Sequence, residues 1–512
     1  MLNLSAFSDF LDCPFARKIR WYVLSGDCSQ KLMERFKMQS KITSNLFWRF
    51  LERCGAQLVT FVVSVVLARI LSPAEYGEIA LVTVIITILN VFIDGGFANA
   101  LIQKDNPDDL DYSTVFYFNS FLCVFVYSAL FAFAPCVGVF YSNERLVPLL
   151  RVLGFTIIIS GIKNVQQAYV AKNFLFKKFF YSTLGGTVFS AIVGIGMALR
   201  GFGTWSLVAQ HLSNLIVDTS ILWMTVKWRP RKCFSIQRLR ELFSYGYKLL
   251  LSALLNTIYD NFRQLIIGRH YSASDLAYYN KGKQFPSLVM TNINTSIDSV
   301  LFPAMAEKQN NCVEVQAMIK KSINVSTYIL WPLLFGLCGI SNSLIRIVLT
   351  DKWAFCVPFL RVFCFAYATH PIQTANLNAL KAVGRSDCFL KLEIEQTAIG
   401  IVLLLCVMNK GPIWIAIMYL ATAIISVALI CHESNKVFHY SFASQLVDLF
   451  PNFAISIIML VVVLVMEENT AGDLFMALEI MVGVIVYLIC SSLTRNVNLK
   501  YVMGVVNRVL RK

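Results

Sequence analysis

Residues 45–103 read NLFWRFLERCGAQLVTFVVSVVLARILSPAEYGEIALVTVIITILNVFIDGGFANALIQ. Two apolar segments flank a polar corner, Leu71-Ser72-Pro73-Ala74-Glu75-Tyr76-Gly77. Each segment is long enough to cross a bilayer, which takes about 20 apolar residues. The first carries Arg49, Glu52 and Arg53 near its start, and the second ends in Asp94-Gly95-Gly96. Charge inside a span is costly and usually functional. The stretch therefore predicts a helical hairpin in a membrane, with ionisable groups held inside it. Much of the chain repeats that design.

The composition agrees. Of 512 residues, 57% are hydrophobic and 15% charged, against about 25% charged in an ordinary soluble domain. The apolar runs are continuous and do not alternate, which excludes a transmembrane barrel and predicts an all-α polytopic membrane protein. The net charge of +15 is explained by Lys and Arg gathered in cytoplasmic loops, and no nucleic-acid-binding motif accompanies it. The 14 cysteines are scattered, mostly in apolar segments, and none pair as C-x-x-C. They read as buried free thiols, since free cysteine behaves as a small hydrophobe.

Apolar windows place spans at 46–70, 78–101, 113–140, 148–170, 180–199, 205–227, 242–268, 279–305, 322–346, 357–382, 388–408, 412–432, 446–466 and 474–494, about fourteen helices. The weakest windows are 279–305, polar at its start, and 388–408, which contains Glu393 and Glu395. With the N-terminus inside, the inner loops hold most of the Lys and Arg, and the outer loop Glu467–Asp473 holds none. Both termini are thus expected in the cytoplasm.

The basic loop KWRPRKCFSIQRLR, residues 227–240, divides the chain near its middle. Beyond it the sequence echoes the first half. Arg69, Ser72 and Glu75 share the pattern R-x-x-S-x-x-acid with Arg269, Ser272 and Asp275. The expected architecture is two parallel six-helix lobes related by an axis along the membrane normal, plus two C-terminal helices. The divisions are a basic arm at 1–45, a first lobe at 46–227, a cytoplasmic linker at 228–241, a second lobe at 242–432, two further helices at 433–494 and a basic amphipathic tail at 495–512. The arm has no spanning run and no signal-peptide pattern. Either Met38 is the natural start or the arm lies on the membrane surface. The tail reads as an interfacial helix on the inner leaflet.

Several polar residues inside the spans are candidates for chemistry. Arg49 and Arg53 share one helix face at i,i+4. They either snorkel to headgroups or form a cationic vestibule for an anionic one, for which the planar guanidinium is suited. Lys248 sits near the position of Arg49 in the second copy. Asp260 and Arg263, at i,i+3, either neutralise each other or act separately. Lys163 lies among Asn164, Gln166 and Gln167; so many polar groups must face protein or water, and cavity lining is favoured over helix–helix ties. Asn292, Asn294, Thr295, Ser296 and Asp298 form a similar stripe. Asp94 is either an ion site or a polar group beside a glycine-permitted close contact. Substrate contact is expected from Arg49, Arg53, Lys163, Lys248, Arg263 and Asn292, and ion coupling from Asp94, Asp260 and Asp298. Pro332 and Pro371 are expected to kink their spans.

Signs of catalysis are thin. Asp109-Leu110-Asp111 fits the D-x-D of metal-dependent glycosyltransferases, but no nucleotide-binding domain surrounds it. There is no phosphate-binding G-x-x-x-x-G-K-[ST] loop, and the five His residues have no metal-ligand spacing. Loops are too short for a separate catalytic domain. No enzyme activity, catalytic residue, metal or cofactor is expected.

The corner and its surroundings resemble the lipopolysaccharide/polysaccharide flippases of the multidrug/oligosaccharidyl-lipid/polysaccharide exporter superfamily. The residues that carry the resemblance are Val66–Gly77, Asp94–Gln103, Ser113–Asn119, Gly201–Gln210, Tyr278-Tyr279-Asn280 and Val300–Pro303. It runs from about Met38 to the C-terminus, with the motifs densest before Lys308. Ala277 stands where the family usually has glycine, and Gly96-Phe97 replaces a leucine-glycine pattern; both bear on packing. The resemblance implies a V-shaped bundle of two lobes around a cationic cavity, in the bacterial inner membrane. The expected substrate is a polyprenyl-diphosphate-linked oligosaccharide, moved from the inner to the outer leaflet by alternating access and driven by an ion gradient or membrane potential. Its expected partners are that lipid-linked oligosaccharide, membrane lipids and other polysaccharide-assembly proteins, with no nucleic acid.

Two other readings stand beside it. A multidrug or cation antiporter of the same superfamily would need a cavity dominated by carboxylates, whereas the embedded set here leans basic. A membrane polysaccharide polymerase would usually carry a large extracytoplasmic loop, which the spacing does not provide.

Overall fold

The computed structural model describes residues 48, 51–52, 54–94, 96–104, 106–469, 475–496, 498–500 and 503–504. Arg49, Arg53, the 1–45 arm and most of the 495–512 tail lie outside the described residues, as do the side chains of Asp94 and Lys248. Among the described residues the chain is helical, without strands. The first half comprises α1 (Cys54–Ile70), α2 (Pro73–Asp94), α3 (Phe97–Gln103), α4 (Asp109–Phe140), α5 (Leu146–Leu153), α6 (Phe155–Lys172), α7 (Phe176–Leu199) and α8 (Thr204–Thr225). The second comprises α9 (Ile236–His270), α10 (Ala273–Glu307), α11 (Cys312–Gly339), α12 (Ser341–Val348), a 3-10 turn (Asp351–Cys356), α13 (Val357–Ala368), α14 (His370–Ala382), α15 (Ser386–Val407) and α16 (Pro412–Phe438). The last helices are α17 (Phe442–Asn469), packed on α11, and α18 (Met476–Leu493), packed on α17.

Nine helical segments among the described residues are long and apolar enough to span a membrane, which makes the chain a multi-pass membrane protein. The sequence windows predict about fourteen. The remaining windows fall on α1, which is shorter, and on α8, α9, α10 and α15, which are helical but too polar for the criterion. The reason is physical. The apolar test assumes lipid contact, and these four helices direct polar side chains at cavities inside the protein.

Some boundaries differ from the expected ones. The 148–170 window is two helices meeting at Gly154, where a Cβ would come within 2.7 Å of the Leu150 carbonyl oxygen and 2.9 Å of the Leu130 side chain. The 322–346 window covers the end of α11 and the start of α12, and α11 begins earlier, at Cys312, where the Asn311 side chain caps it by accepting from the Val313 and Glu314 amides. Pro371 does not kink a helix. It sits in the first turn of α14, where its missing N–H costs nothing. Pro332 does lie inside α11. The cysteines among the described residues are free thiols, but Cys54, Cys136, Cys312 and Cys406 are exposed rather than buried, on the outer faces of their helices.

The repeated R-x-x-S-x-x-acid pattern has a structural meaning. Ser72 exchanges hydrogen bonds with Glu75 (its amide and hydroxyl donate to the carboxylate at 2.7 and 2.8 Å), and Ser272 does the same with Asp275. Each is a capping box that satisfies orphan donors at a helix start, so the echo marks the equivalent starts of α2 and α10. These two starts meet. A Cβ on Gly77 would lie 1.7 Å from the Ala273 carbonyl oxygen. Beyond the far end of α2, Gly96 meets Gly246 of α9 in the same way, and a Cβ on Gly96 would fall 2.6 Å from the Gly246 oxygen. The halves thus touch backbone to backbone at both ends of α2, which packs on α9 and α10 between these points.

The basic segment at 228–241 is anchored to the first half. Arg231 pairs with Asp109 at 2.7 Å, and the Trp228 indole donates to the same carboxylate at 3.2 Å. The backbone amides of Arg231 and Ser235 donate to the hydroxyls of Ser113 and Thr114. Asp111 is buried, pairs with Lys104 at 2.6 Å and forms the capping box of α4 with Asp108. Asp108 caps the Asp111 amide, which holds its carboxyl below the usual carboxylate range, with Arg238 and Lys104 adding to the effect. The D-x-D carboxylates therefore have structural partners.

Candidate functional site

A cavity of about 450 Å³ lies between the halves. α1 supplies Thr60 and Ser64, α2 supplies Tyr76, Thr83 and Thr87, and α8 supplies Gln210 and His211. From the second half come Asn261 and Gln264 on α9 and Asn280, Lys281 and Gln284 on α10. Amides and hydroxyls alternate with apolar side chains such as Ile79, Val84 and Leu207, and among the described residues the lining includes no Asp or Glu.

Lys281 is its focus. The side chain is buried, and its ammonium donates to Ser64 Oγ at 2.6 Å. It sits 4.5 Å from the Tyr76 ring centre and 5.8 Å from that of Trp353. None of these partners carries negative charge. Burying an ammonium without a counter-ion is expensive, and ring faces and a hydroxyl offset only part of that cost. The cavity is electrostatically incomplete in the sense that favours an anion.

A second cavity, about 380 Å³, lies within the second half among α9, α14, α15 and α16. It holds two carboxylates, Asp260 and Glu393, with Arg263, His370, Gln373 and Thr397. Arg263 is buried and does not pair with Asp260. It donates to Tyr259 Oη at 3.0 Å and lies 4.9 Å from the ring centres of both Tyr259 and Tyr419. Its Nε is buried with no hydrogen-bond partner among the described residues. Lys283 approaches the same Tyr419 ring, at 5.8 Å. This cavity continues into an apolar groove of about 670 Å³ between α9 and α15, sharing Asn256, Tyr259, Glu393 and Thr397 with it.

The other sequence candidates are dispersed. Lys163 pairs with Asp218 of α8 at 2.5 Å inside the first half. Its neighbours tie α6 to other segments: the Asn164 amide donates to the Ile93 carbonyl of α2 and the Gln166 amide to the Trp228 carbonyl of the basic segment. Asp298 accepts from Asn378 at 2.7 Å and Asn294 at 3.3 Å, joining α10 to α14. Asn292 is exposed and donates to the Leu288 carbonyl of its own helix. Of the candidates whose side chains are described, only Asp260 and Arg263 share a cavity. Among the described residues no group of three or more His, Cys, Asp or Glu is placed to hold a metal ion.

Sequence reading missed Lys281, His211 and the role of Glu393. The signal for Lys281 was present: it directly follows the Tyr278-Tyr279-Asn280 motif, in a 35-residue helix.

Residues 66–358 match the polysaccharide biosynthesis protein family. The succinoglycan biosynthesis transport protein ExoT of Rhizobium meliloti is 25% identical over 67% of this chain and 70% of its own length. The teichuronic acid biosynthesis protein TuaB of Bacillus subtilis is 26% identical over 68% of this chain and 72% of its own. Among solved structures, the inward closed conformation of the lipid II flippase MurJ superposes with a TM-score of 0.72, covering 88% of this chain and 98% of that one at 16% identity. That likeness shows a shared fold.

Proposed function

The chain belongs to the polysaccharide biosynthesis protein family, and on that premise we propose that it is a flippase for polyprenyl-diphosphate-linked oligosaccharide. The observation that carries this reading is the cavity between the halves: among the described residues its buried lysine has no carboxylate partner and its lining holds no Asp or Glu. A diphosphate supplies the missing negative charge, and the surrounding amides and hydroxyls suit sugar hydroxyls. An antiporter for cationic drugs needs the opposite lining. The names of ExoT and TuaB associate those relatives with succinoglycan and teichuronic acid, two different polymers, which fits a shared lipid-diphosphate carrier bearing different sugars.

The role proposed is transport and not catalysis, in the bacterial cytoplasmic membrane, with both termini inside as the loop charges require. The basic 228–241 segment then lies on the cytoplasmic side and the α1–α2 corner on the outer side. The two halves act as lobes that rock about α2, α9 and α10. Arg49, Arg53 and Lys248, whose charges the sequence puts near the starts of the repeat-related helices, are proposed as further contacts for the diphosphate. Asp260, with Glu393 beside it, is the proposed coupling site for a proton or cation; Asp94 and Asp298 remain candidates for the same role.

Two expected results follow. Gln264→Glu places a carboxylate in the cavity between the halves, and polymer export is expected to fall at least about tenfold, a barrier change of about 1.4 kcal/mol. Surface polysaccharide and accumulated lipid-linked intermediate, measured in a strain relying on the variant, report it; unchanged export would remove the anion assignment. Asp260→Asn is expected to abolish the dependence of export on an imposed ion gradient while substrate still binds. Full gradient-driven transport by this variant would exclude Asp260 from coupling.

A further inference from the structure

Lys281 does more than face the cavity. Its three contacts tie α10 to the structure that closes the bundle at the α1–α2 corner. Ser64, which accepts its hydrogen bond, also accepts from Tyr76 Oη through its carbonyl oxygen at 3.2 Å. The Tyr76 ring stands edge-on to Trp353 at 5.4 Å. Trp353 is fully buried, and its indole donates to the Ala68 carbonyl at 2.8 Å. Next to it Lys352 donates to the Arg69 carbonyl at 2.6 Å, and the Arg69 guanidinium donates to the Ile347 and Val348 carbonyls. The α1 terminus, the α2 start and the 347–353 turn are therefore tied together, and Lys281 links this assembly to the cavity that Ser64 and Tyr76 also line.

We infer that Lys281 is a ligand-released latch: an anionic diphosphate entering the cavity draws the ammonium away from Ser64, Tyr76 and Trp353, and so loosens the closure at the α1–α2 corner. This rests on the flippase reading and deepens it. The physical basis is a competition for one cation. A hydroxyl and two ring faces hold it in the absence of ligand; these offer only dipoles and quadrupoles, whereas a phosphate brings a full negative charge and the ion–ion attraction that goes with it. The latch yields to an anion and not to a neutral sugar, so the closure opens only when the charged head is present. A ligand can shift such an equilibrium only by binding the two states differently, and the changed partners of Lys281 provide that difference.

The test is amide hydrogen exchange over residues 64–76 and 347–356 in nanodisc-embedded protein, with farnesyl diphosphate as the probe and farnesol as the neutral control, alongside a direct binding measurement. Wild-type exchange at 347–356 is expected to rise several-fold with farnesyl diphosphate and to stay unchanged with farnesol. Lys281→Gln should exchange fast without ligand and show no response. Lys281→Arg should keep the response. Ser64→Ala, which removes one restraint and leaves the cation, should raise basal exchange and still respond. A wild type that binds the diphosphate without loosening, or a Lys281→Gln variant that responds as wild type does, overturns the latch and leaves the flippase reading intact. A wild type that binds no diphosphate removes the reading on which the latch rests.

Discussion

Gly77→Leu is expected to reduce polymer export to background while the protein still inserts in the membrane. Even the Cβ of a larger residue at this position would lie 1.7 Å from the Ala273 oxygen and 2.3 Å from its carbonyl carbon. Those atoms are backbone at the capped start of α10 and cannot swing aside as a side chain can. The two capped helix starts must separate, and with them the neighbouring closure formed by Arg69, Lys352 and Trp353. Overpacking of this kind costs about 1–3 kcal/mol or more when repacking absorbs it; a backbone collision leaves little to repack. Immunoblotting of membranes and surface polysaccharide assays in one strain would check the result. Normal export by Gly77→Leu would mean that the halves need not meet here during transport. Gly96 offers the parallel experiment at the other end of α2, against Gly246.

The second large effect is expected at Lys163. Its partner Asp218 is almost completely buried, with side-chain exposure of 6%, and the second carboxylate oxygen already lacks a hydrogen-bond partner among the described residues. Lys163→Met leaves that carboxylate without its cation, at a cost of about 3–5 kcal/mol. The thermal transition of the purified protein should fall markedly. The double variant Lys163→Met/Asp218→Leu should recover most of the stability, because replacing both partners of a buried pair by apolar groups is often close to neutral. The same pair of variants separates two roles. If Lys163 only ties α6 to α8, the double variant also regains export. If it contacts substrate, the double variant is stable and inactive.

The two residues differ in how readable they were. The charge of Lys163 inside an apolar window marked it at once, but its partner lies 55 positions away on α8, and one-dimensional spacing does not pair residues across a bundle. The helical membrane architecture, the internal echo and the family were legible because each depends on local pattern: apolar run length, loop charge, and the R-x-x-S-x-x-acid boxes that cap α2 and α10. The same pattern logic misplaced detail where tertiary packing decides. Gly154 splits a window that looks continuous, and Pro371 opens a helix that it was expected to kink.

The cavities were harder still. Charges that interrupt an apolar window attract notice, and this favoured Asp260, Arg263 and Asp298. Lys281 sits in a segment polar enough to make the span itself uncertain, so its burial was not apparent. What gives it meaning is the company of Ser64 and Tyr76 on the α1–α2 hairpin and of Trp353, all far from Lys281 in the chain. The lack of carboxylates among the described residues lining the cavity between the halves is likewise a property of the assembled bundle.

The most direct test of the central claim is translocation by the purified protein. Proteoliposomes would carry a fluorescent prenyl-diphosphate-linked oligosaccharide, with an impermeant quencher added outside. With an imposed ion gradient, protein-containing vesicles are expected to deliver the inner-leaflet pool to the quencher, and empty vesicles or vesicles with the Gly77→Leu variant are not. If wild-type vesicles leave that pool protected for every lipid-linked sugar tested yet move a cationic drug down the same gradient, the chain is an antiporter and the flippase account is wrong.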